Sequence, residues 1–357
     1  MGPRRHAEAD ETQPRAPAQP DNLSCVTSCG FELGDSGMDR STRSAARDLS
    51  AVFMLWGVMT GGLYAAPPAP SLRDRGQIQA VLARVPSADI GPAQRTLRIA
   101  LIADKKDHAE HEHDYPLWQK RWALLLGGPR ASTEQQLNLY GPPACRREDH
   151  VGAPNVEVLC VQSWPEDEVL RSVDVLVAFC YLKWNDDSRG RVKDYLSRGG
   201  GLVLLHSATW TMPGPSGQVA DLVGIGGFTR YRHGRVDLEM SDTGHPICLG
   251  LPQRIQFLDE TYWPPTPAID PARVTVLATC AERPGQSDPP VPAPQPIFWT
   301  YEPGRGRVFG CVLGHYTWTF DDPWFRVLVL RGLAWAAGES VYRFDSLVLR
   351  GARVTGE

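Results

Sequence analysis

Four short apolar runs, each separated from the next by a segment with helical spacing, constrain this chain more than any other feature. They lie at 97–103, 156–161, 173–179 and 202–205. Runs of this length with little alternation of apolar and polar residues suit strands covered on both faces, as parallel sheets are. The helical patterns between them fall at 117–126, 165–172 and 189–197, the last stopped by Gly199, Gly200 and Gly201. Strands alternating with helices predict an α/β fold, with a parallel sheet sandwiched between helices. The second half is less regular. Strands are expected at 235–240, 253–258, 274–279, 297–301 and 307–313, with a hairpin-like turn at 302–306. Residues 281–296 read as a proline-rich surface loop and 323–337 as a strongly apolar closing helix. Trp118 and Trp122 are helically spaced and belong in the core.

Histidines recur where these strands end. His108, His111 and His113 follow the first, in a stretch that also holds Asp107, Glu110, Glu112 and Asp114. His206 follows the fourth and His315 follows 307–313. Parallel α/β proteins build sites at the carboxyl ends of their strands, so residues far apart in sequence converge there. Two chemistries suit the set. In one, His113, His206 and His315 hold a divalent metal such as zinc, with Asp259 or Glu260 as ligand or outer partner. In the other there is no metal, and a histidine moves a proton beside a carbonyl with a carboxylate or second histidine completing the transfer. The candidate site is therefore His113, His206 and His315, with Glu260 as carboxylate partner and His108 as loop contributor. Structural roles compete with both: His245 precedes Pro246 and reads as a turn residue, and His233 is undecided.

Composition narrows the field. The net charge of -4 is small, and no basic run interleaved with aromatics appears, which argues against a nucleic-acid partner. Residues 1–37 carry four prolines and almost no apolar periodicity, and read as a disordered or mis-annotated extension. From Met38, arginines precede an apolar stretch that ends in Ala65 and Ala66, the layout of a secretory signal over 38–66. Export to the periplasm or beyond follows; an uncleaved segment would instead anchor the chain, and membrane contact is expected only there. The segment 67–95 reads as a linker holding a short helix at 77–84, and 341–357 as a C-terminal tail. Cys160, Cys180 and Cys311 sit in apolar runs and read as buried small hydrophobes, while Cys145, Cys248 and Cys280 lie nearer loops. No Cys-x-x-Cys pair exists, so a thiolate zinc site is unsupported.

Five stretches in order carry a resemblance. They are 107–116 with His108 and His113, 198–206 ending at His206, 244–252 with His245, 259–262 with Glu260, and the closing block with His315 and Phe320 to Pro323. Together they make the chain, over roughly 97–338, resemble the trehalose-utilisation (ThuA-like) family. The resemblance implies a class I glutamine amidotransferase-like fold, a flavodoxin-like three-layer sandwich with a mostly parallel sheet. It also implies a link to sugar metabolism, with a small-molecule carbohydrate as partner. His206 stands where amidotransferases of this fold place their nucleophilic cysteine, and Cys180 lies one strand earlier, so glutamine hydrolysis is unsupported. His111 lies where the family has a Gly/Pro-rich link, and is not inherited from it. The expected activity is metal-assisted or histidine-mediated chemistry on a sugar or keto-sugar by the 96–340 domain. The alternative is a non-catalytic carbohydrate-binding module on the same fold.

Overall fold

A computed structural model describes residues 67–86, 95–283 and 291–356. The expected extension at 1–37 and signal at 38–66 lie outside the described residues. In chain order the elements are β1 (Arg73–Asp74), α1 (Arg75–Leu82), β2 (Leu97–Ala103), α2 (Tyr115–Gly127), β3 (Val156–Gln162), α3 (Asp167–Ser172), β4 (Val175–Ala178), α4 (Asp186–Ser197), β5 (Gly201–Leu205), α5 (Gly217–Val223), β6 (Ile225–Met240), β7 (Arg254–Pro267), β8 (Val274–Glu282), β9 (Ala293–Tyr301), β10 (Arg307–Cys311), α6 (Pro323–Ala336) and β11 (Val354–Thr355).

One nine-stranded sheet organises them, in the order β3-β2-β4-β5-β10-β9-β8-β6-β7. The first five strands are parallel, and β10 to β7 pair antiparallel. The sheet is therefore mixed, and the expectation of a mostly parallel sheet is corrected. Its reason lies in connection length. β9 and β10 are joined by the short 302–306 turn, which can only reverse the chain, whereas parallel pairing needs a long crossover.

Every residue of β4 and β5 is buried. Successive side chains of a strand point to opposite faces, so both faces of the sheet are covered here. Helix α2 packs on β2 and β3, and α6 on β4, β5 and β10. Asp114 caps α2 and Asp322 caps α6, each accepting from a backbone N–H of its first turn, with proline at the start of the helix. Trp118 and Trp122 are buried as expected. β6 and β7 are far longer than the short runs read from sequence, because half their residues face water and interrupt the apolar signal. The expected loop at 281–296 begins and ends as strand, in β8 and β9.

The segments flanking the domain pack onto it. β1 pairs in parallel with β11, Arg73 opposite Val354. Phe344, Leu347 and Val348 are buried, and the Arg331 guanidinium binds the Asp345 carboxylate at 2.8 Å. The six cysteines of the described part are free thiols. Cys180 and Cys311 are buried, but Cys160 is exposed, because β3 is an edge strand. Among the described residues no helix is long and apolar enough to cross a membrane.

Candidate functional site

The carboxyl ends of β2, β5 and β10 lie on one edge of the sheet, and each feeds a histidine into it. His206 follows Leu205 directly and opens a short 3-10 turn. Its φ is 49°, a left-handed conformation that costs a non-glycine residue about 1–2 kcal/mol. His113 (φ 41°) and His111 (φ 67°) share this strain. Strained backbone persists where the surroundings hold it, often at functional sites. Here backbone hydrogen bonds zip two loops together: His113 N–H donates to the His315 carbonyl at 2.9 Å, and Thr317 N–H to the His111 carbonyl at 2.8 Å.

Three imidazoles and one carboxylate meet in the interior. His113 Nε2 lies 2.8 Å from His206 Nε2 and 3.1 Å from His315 Nδ1. Glu260 Oε2 lies 3.1 Å from His206 Nε2 and 3.0 Å from His315 Nδ1. All four side chains are buried, and their donor atoms fall within 4.8 Å of one another. His113, His206, His315 and Glu260, expected from sequence, are thus brought together.

The outer atoms set the protonation. His206 Nδ1 is 2.6 Å from the Val312 carbonyl, which can only accept, so this nitrogen carries the hydrogen. His113 Nδ1 is 3.0 Å from the Asp107 carboxylate, which likewise accepts. With the Tyr115 hydroxyl donating to Asp107 Oδ2 at 3.2 Å, His113 Nδ1 keeps its hydrogen, and in the neutral rings both Nε2 atoms are lone pairs, facing each other at 2.8 Å. The phenol of Tyr262 brings one hydrogen to the cluster, shared between His206 Nε2 at 3.0 Å and Glu260 Oε2 at 3.3 Å. A protonated His315 brings a second, its Nδ1 lying 3.0 Å from Glu260 Oε2 and 3.1 Å from His113 Nε2. The inward lone pairs still outnumber these hydrogens, so the inward atoms suit a cation. Carboxylate or carbonyl partners on the far nitrogen are also the usual orienters of metal-bound histidines.

Electrostatics split the three rings. Burial pulls the His113 imidazole down to about 2, helped by the neighbouring imidazoles. Burial also opposes charge on His315, but Glu112 and Glu260 outweigh it and lift it to about 9. Glu260 is held well below the usual carboxylate range: burial opposes this, but the close His206, His233 and His315 imidazoles around it prevail. Asp107 is held down in the same way by His108 and His113.

The remaining expected residues divide. His108 stands at the rim, its ring 3.8 Å from that of His113 and its Nδ1 2.7 Å from Asp107. Asp259, a candidate ligand, turns away. Neighbours on a strand point to opposite faces, and Asp259 instead accepts from the backbone of Glu260, Gly314 and His315, and from the Thr319 hydroxyl. It anchors the His315 loop rather than joining the cluster. His245 accepts from Ile247 N–H and is the expected turn residue. His233, left open by the sequence, belongs to the site: its Nε2 is 3.3 Å from Glu260 Oε1, and its half-exposed ring lies 4.4 Å from that of His315. Pairing of β6 with β7 sets His233 opposite Glu260, a register the sequence alone does not display. Tyr115, whose hydroxyl reaches Asp107 and His113 Nδ1, was also missed.

With this geometry in hand, comparison with known proteins places the chain. A family model described as ThuA, trehalose utilisation, matches residues 147–336. That range holds His206, Glu260 and His315 but not His113, which only the fold brings in. A solved protein from Bacteroides uniformis described as thua-like has 18% identity and a TM-score of 0.50, over 71% of this chain and 97% of its own. A second, from Parabacteroides merdae and described in the same words, has 16% identity and a TM-score of 0.44, over 69% of this chain and 91% of its own. Comparison with curated proteins finds no match.

Proposed function

The chain belongs to the ThuA family, trehalose utilisation, and on that premise we propose that it acts on a sugar or keto-sugar at a divalent metal site made by His113, His206, His315 and Glu260. One observation carries the reading: the inward-facing lone pairs of His113 and His206, each fixed by an acceptor on its far nitrogen. Imidazoles with one carboxylate suit zinc and neighbouring first-row ions better than magnesium or calcium. A bound ion would polarise a sugar oxygen or lower the pKa of a bound water. The chain's own residues would do the rest. Asp107 and the Val312 carbonyl orient the rings, and Tyr262 steadies Glu260. His108 and His233, half-exposed at the rim, can exchange protons with a bound sugar.

Metal content decides the proposal. Purified protein should carry about one divalent ion per chain, removed by chelator and absent from His206→Ala. Wild-type protein that takes up no first-row divalent ion when titrated overturns the metal reading. A second reading rests on the opposed shifts of His113, to about 2, and His315, to about 9. Two groups pushed apart in this way suit a metal-free base and acid pair. Turnover that survives full chelation would favour it. Sugar binding with no turnover, in loaded and stripped protein alike, would favour a carbohydrate-binding module. We further propose export to the periplasm or beyond, on the signal-like layout of 38–66. Cell fractionation with sequencing of the mature N-terminus tests it: cleavage after Ala65 or Ala66 is expected, and retention of an intact segment in the membrane fraction supports anchoring instead.

A further inference from the structure

The rim of the cluster holds a half-buried phenol with no protein hydrogen-bond partner among the described residues. Tyr181 lies three residues past β4, on the edge where the parallel strands end. Its loop is pinned from both sides. Phe179 N–H donates to the Ile102 carbonyl at 3.0 Å, Trp184 N–H to Met212 at 2.8 Å, and Met212 N–H to Leu182 at 3.3 Å. The Trp164 indole donates to the Lys183 carbonyl at 2.8 Å. Leu182 and Trp184 are buried, while Tyr181 is half-buried with its ring 5.9 Å from that of His113. Its hydroxyl is within electrostatic reach of Glu260, Asp107 and Tyr231. Yet among the described residues it has no hydrogen-bond partner. Tyr115, Tyr195, Tyr262 and Tyr301 each donate to a protein oxygen, whereas the rim phenols Tyr181 and Tyr231 do not among the described residues. Burial and the nearby carboxylates raise the Tyr181 phenol, so it remains a donor at any ordinary pH.

Across the cluster stands an aromatic face. Tyr231 is 61% exposed, 5.9 Å from the ring of His233 and 6.1 Å from that of Trp210. Trp210 in turn packs on Tyr262 at 4.9 Å, and Tyr262 stacks on His206 at 5.0 Å. Singly exposed aromatics are ordinary, but Tyr231 and Trp210 pack together into one apolar face beside the cluster, and contiguous faces of this kind mark ligand grooves. Small-molecule sites combine such apolar faces with a few fixed polar groups. A pyranose ring needs both, because its C–H face is apolar and its edge is a ring of hydroxyls.

We propose that Tyr181 and the Tyr231–Trp210 pair form a subsite for one neutral pyranose ring beside the histidine cluster, with the aromatic pair on the C–H face and the Tyr181 hydroxyl donating to the sugar oxygen turned towards Glu260. This rests on the carbohydrate reading above. Calorimetric titration of the zinc-loaded protein with trehalose, glucose and a panel of neutral mono- and disaccharides tests it. At least one sugar should bind. Tyr181→Phe should weaken it about tenfold, the loss of one neutral hydrogen bond, and Tyr231→Ala by a similar factor. Zinc content and melting temperature should match wild type in both. If wild type binds a sugar and both variants bind it equally well, the subsite is wrong and the carbohydrate reading stands. Loss of zinc from Tyr181→Phe would also overturn the proposal, by making Tyr181 a support of the cluster. If wild type binds no sugar of the panel, the carbohydrate reading fails and the subsite fails with it.

Discussion

The parallel and antiparallel halves of the sheet build the site in different ways. In the parallel half, β2 and β5 end at the site and hand over His113 and His206 through tight, strained loops. In the antiparallel half, Glu260, Tyr262 and His233 come from within long strands and reach the cluster by register. β10, parallel to β5 and antiparallel to β9, joins the halves and carries His315 just beyond its end. One half supplies imidazoles on loops, the other a carboxylate on a paired β-ribbon. A site with walls of both kinds is positioned by side-chain alternation on one side and by backbone turns on the other.

That contrast can be broken at several levels. The largest effect is expected from removing a ligand on either side. His206→Ala and Glu260→Ala should each lower metal affinity by more than the roughly 10–100-fold that loss of an outer partner causes, read by competition with a chromophoric chelator. If Glu260→Ala kept wild-type affinity, the antiparallel half would be only a lid. Next comes packing. Leu204→Ala in β5, 1% exposed, should cost about 2–5 kcal/mol in chemical denaturation. Leu159→Ala on the edge strand β3, 42% exposed, should cost about 1 kcal/mol or less. Equal costs would refute the two-face burial of the central strands.

Each half also holds an outer partner of the cluster. Asp107→Ala removes the acceptor of His113, and His233→Ala removes a donor to Glu260. Each should weaken metal binding by about 10–100-fold without altering the melting temperature of the stripped protein by more than a few degrees. A loss confined to Asp107→Ala would assign orientation to the parallel half alone.

The smallest effect is a pH dependence. His150 is buried with Nε2 donating to the Leu125 carbonyl at 2.8 Å, and burial, with Arg350 and Arg326, lowers its pKa. The folded state therefore binds this proton less readily than the unfolded chain. Its contribution is fully present above the unfolded value near 6.5 and falls as pH drops below it, by no more than about 1.4 kcal/mol per pH unit. Melts of wild type and His150→Gln between pH 5 and 7.5 should show a smaller acid loss in the variant. Parallel curves would remove His150 as a source.

Legibility followed the same division. Strands β2, β4 and β5 of the parallel half are nearly continuous apolar runs, so they stand out, and with them the histidines that follow. β6 and β7 alternate or carry polar and proline residues at their ends, so only their apolar middles could be read. The sequence leaves His233 undecided and keeps Asp259 beside Glu260 as an alternative ligand, because both questions turn on which strand faces which. Tyr181 showed nothing in sequence, since an unpartnered hydroxyl is visible only once every neighbour is placed.

The order of residues along the chain determined the α/β alternation, the strand-end placing of His113, His206 and His315, and the family. Periodicity is a local property, written by which side chains must leave water. Only the tertiary structure decided that the sheet is mixed, that Glu260 and not Asp259 faces the histidines, and that two imidazoles present lone pairs to each other. Those outcomes depend on pairing register and on hydrogen bonds between residues as far apart as His113 and His315, and no local pattern encodes them.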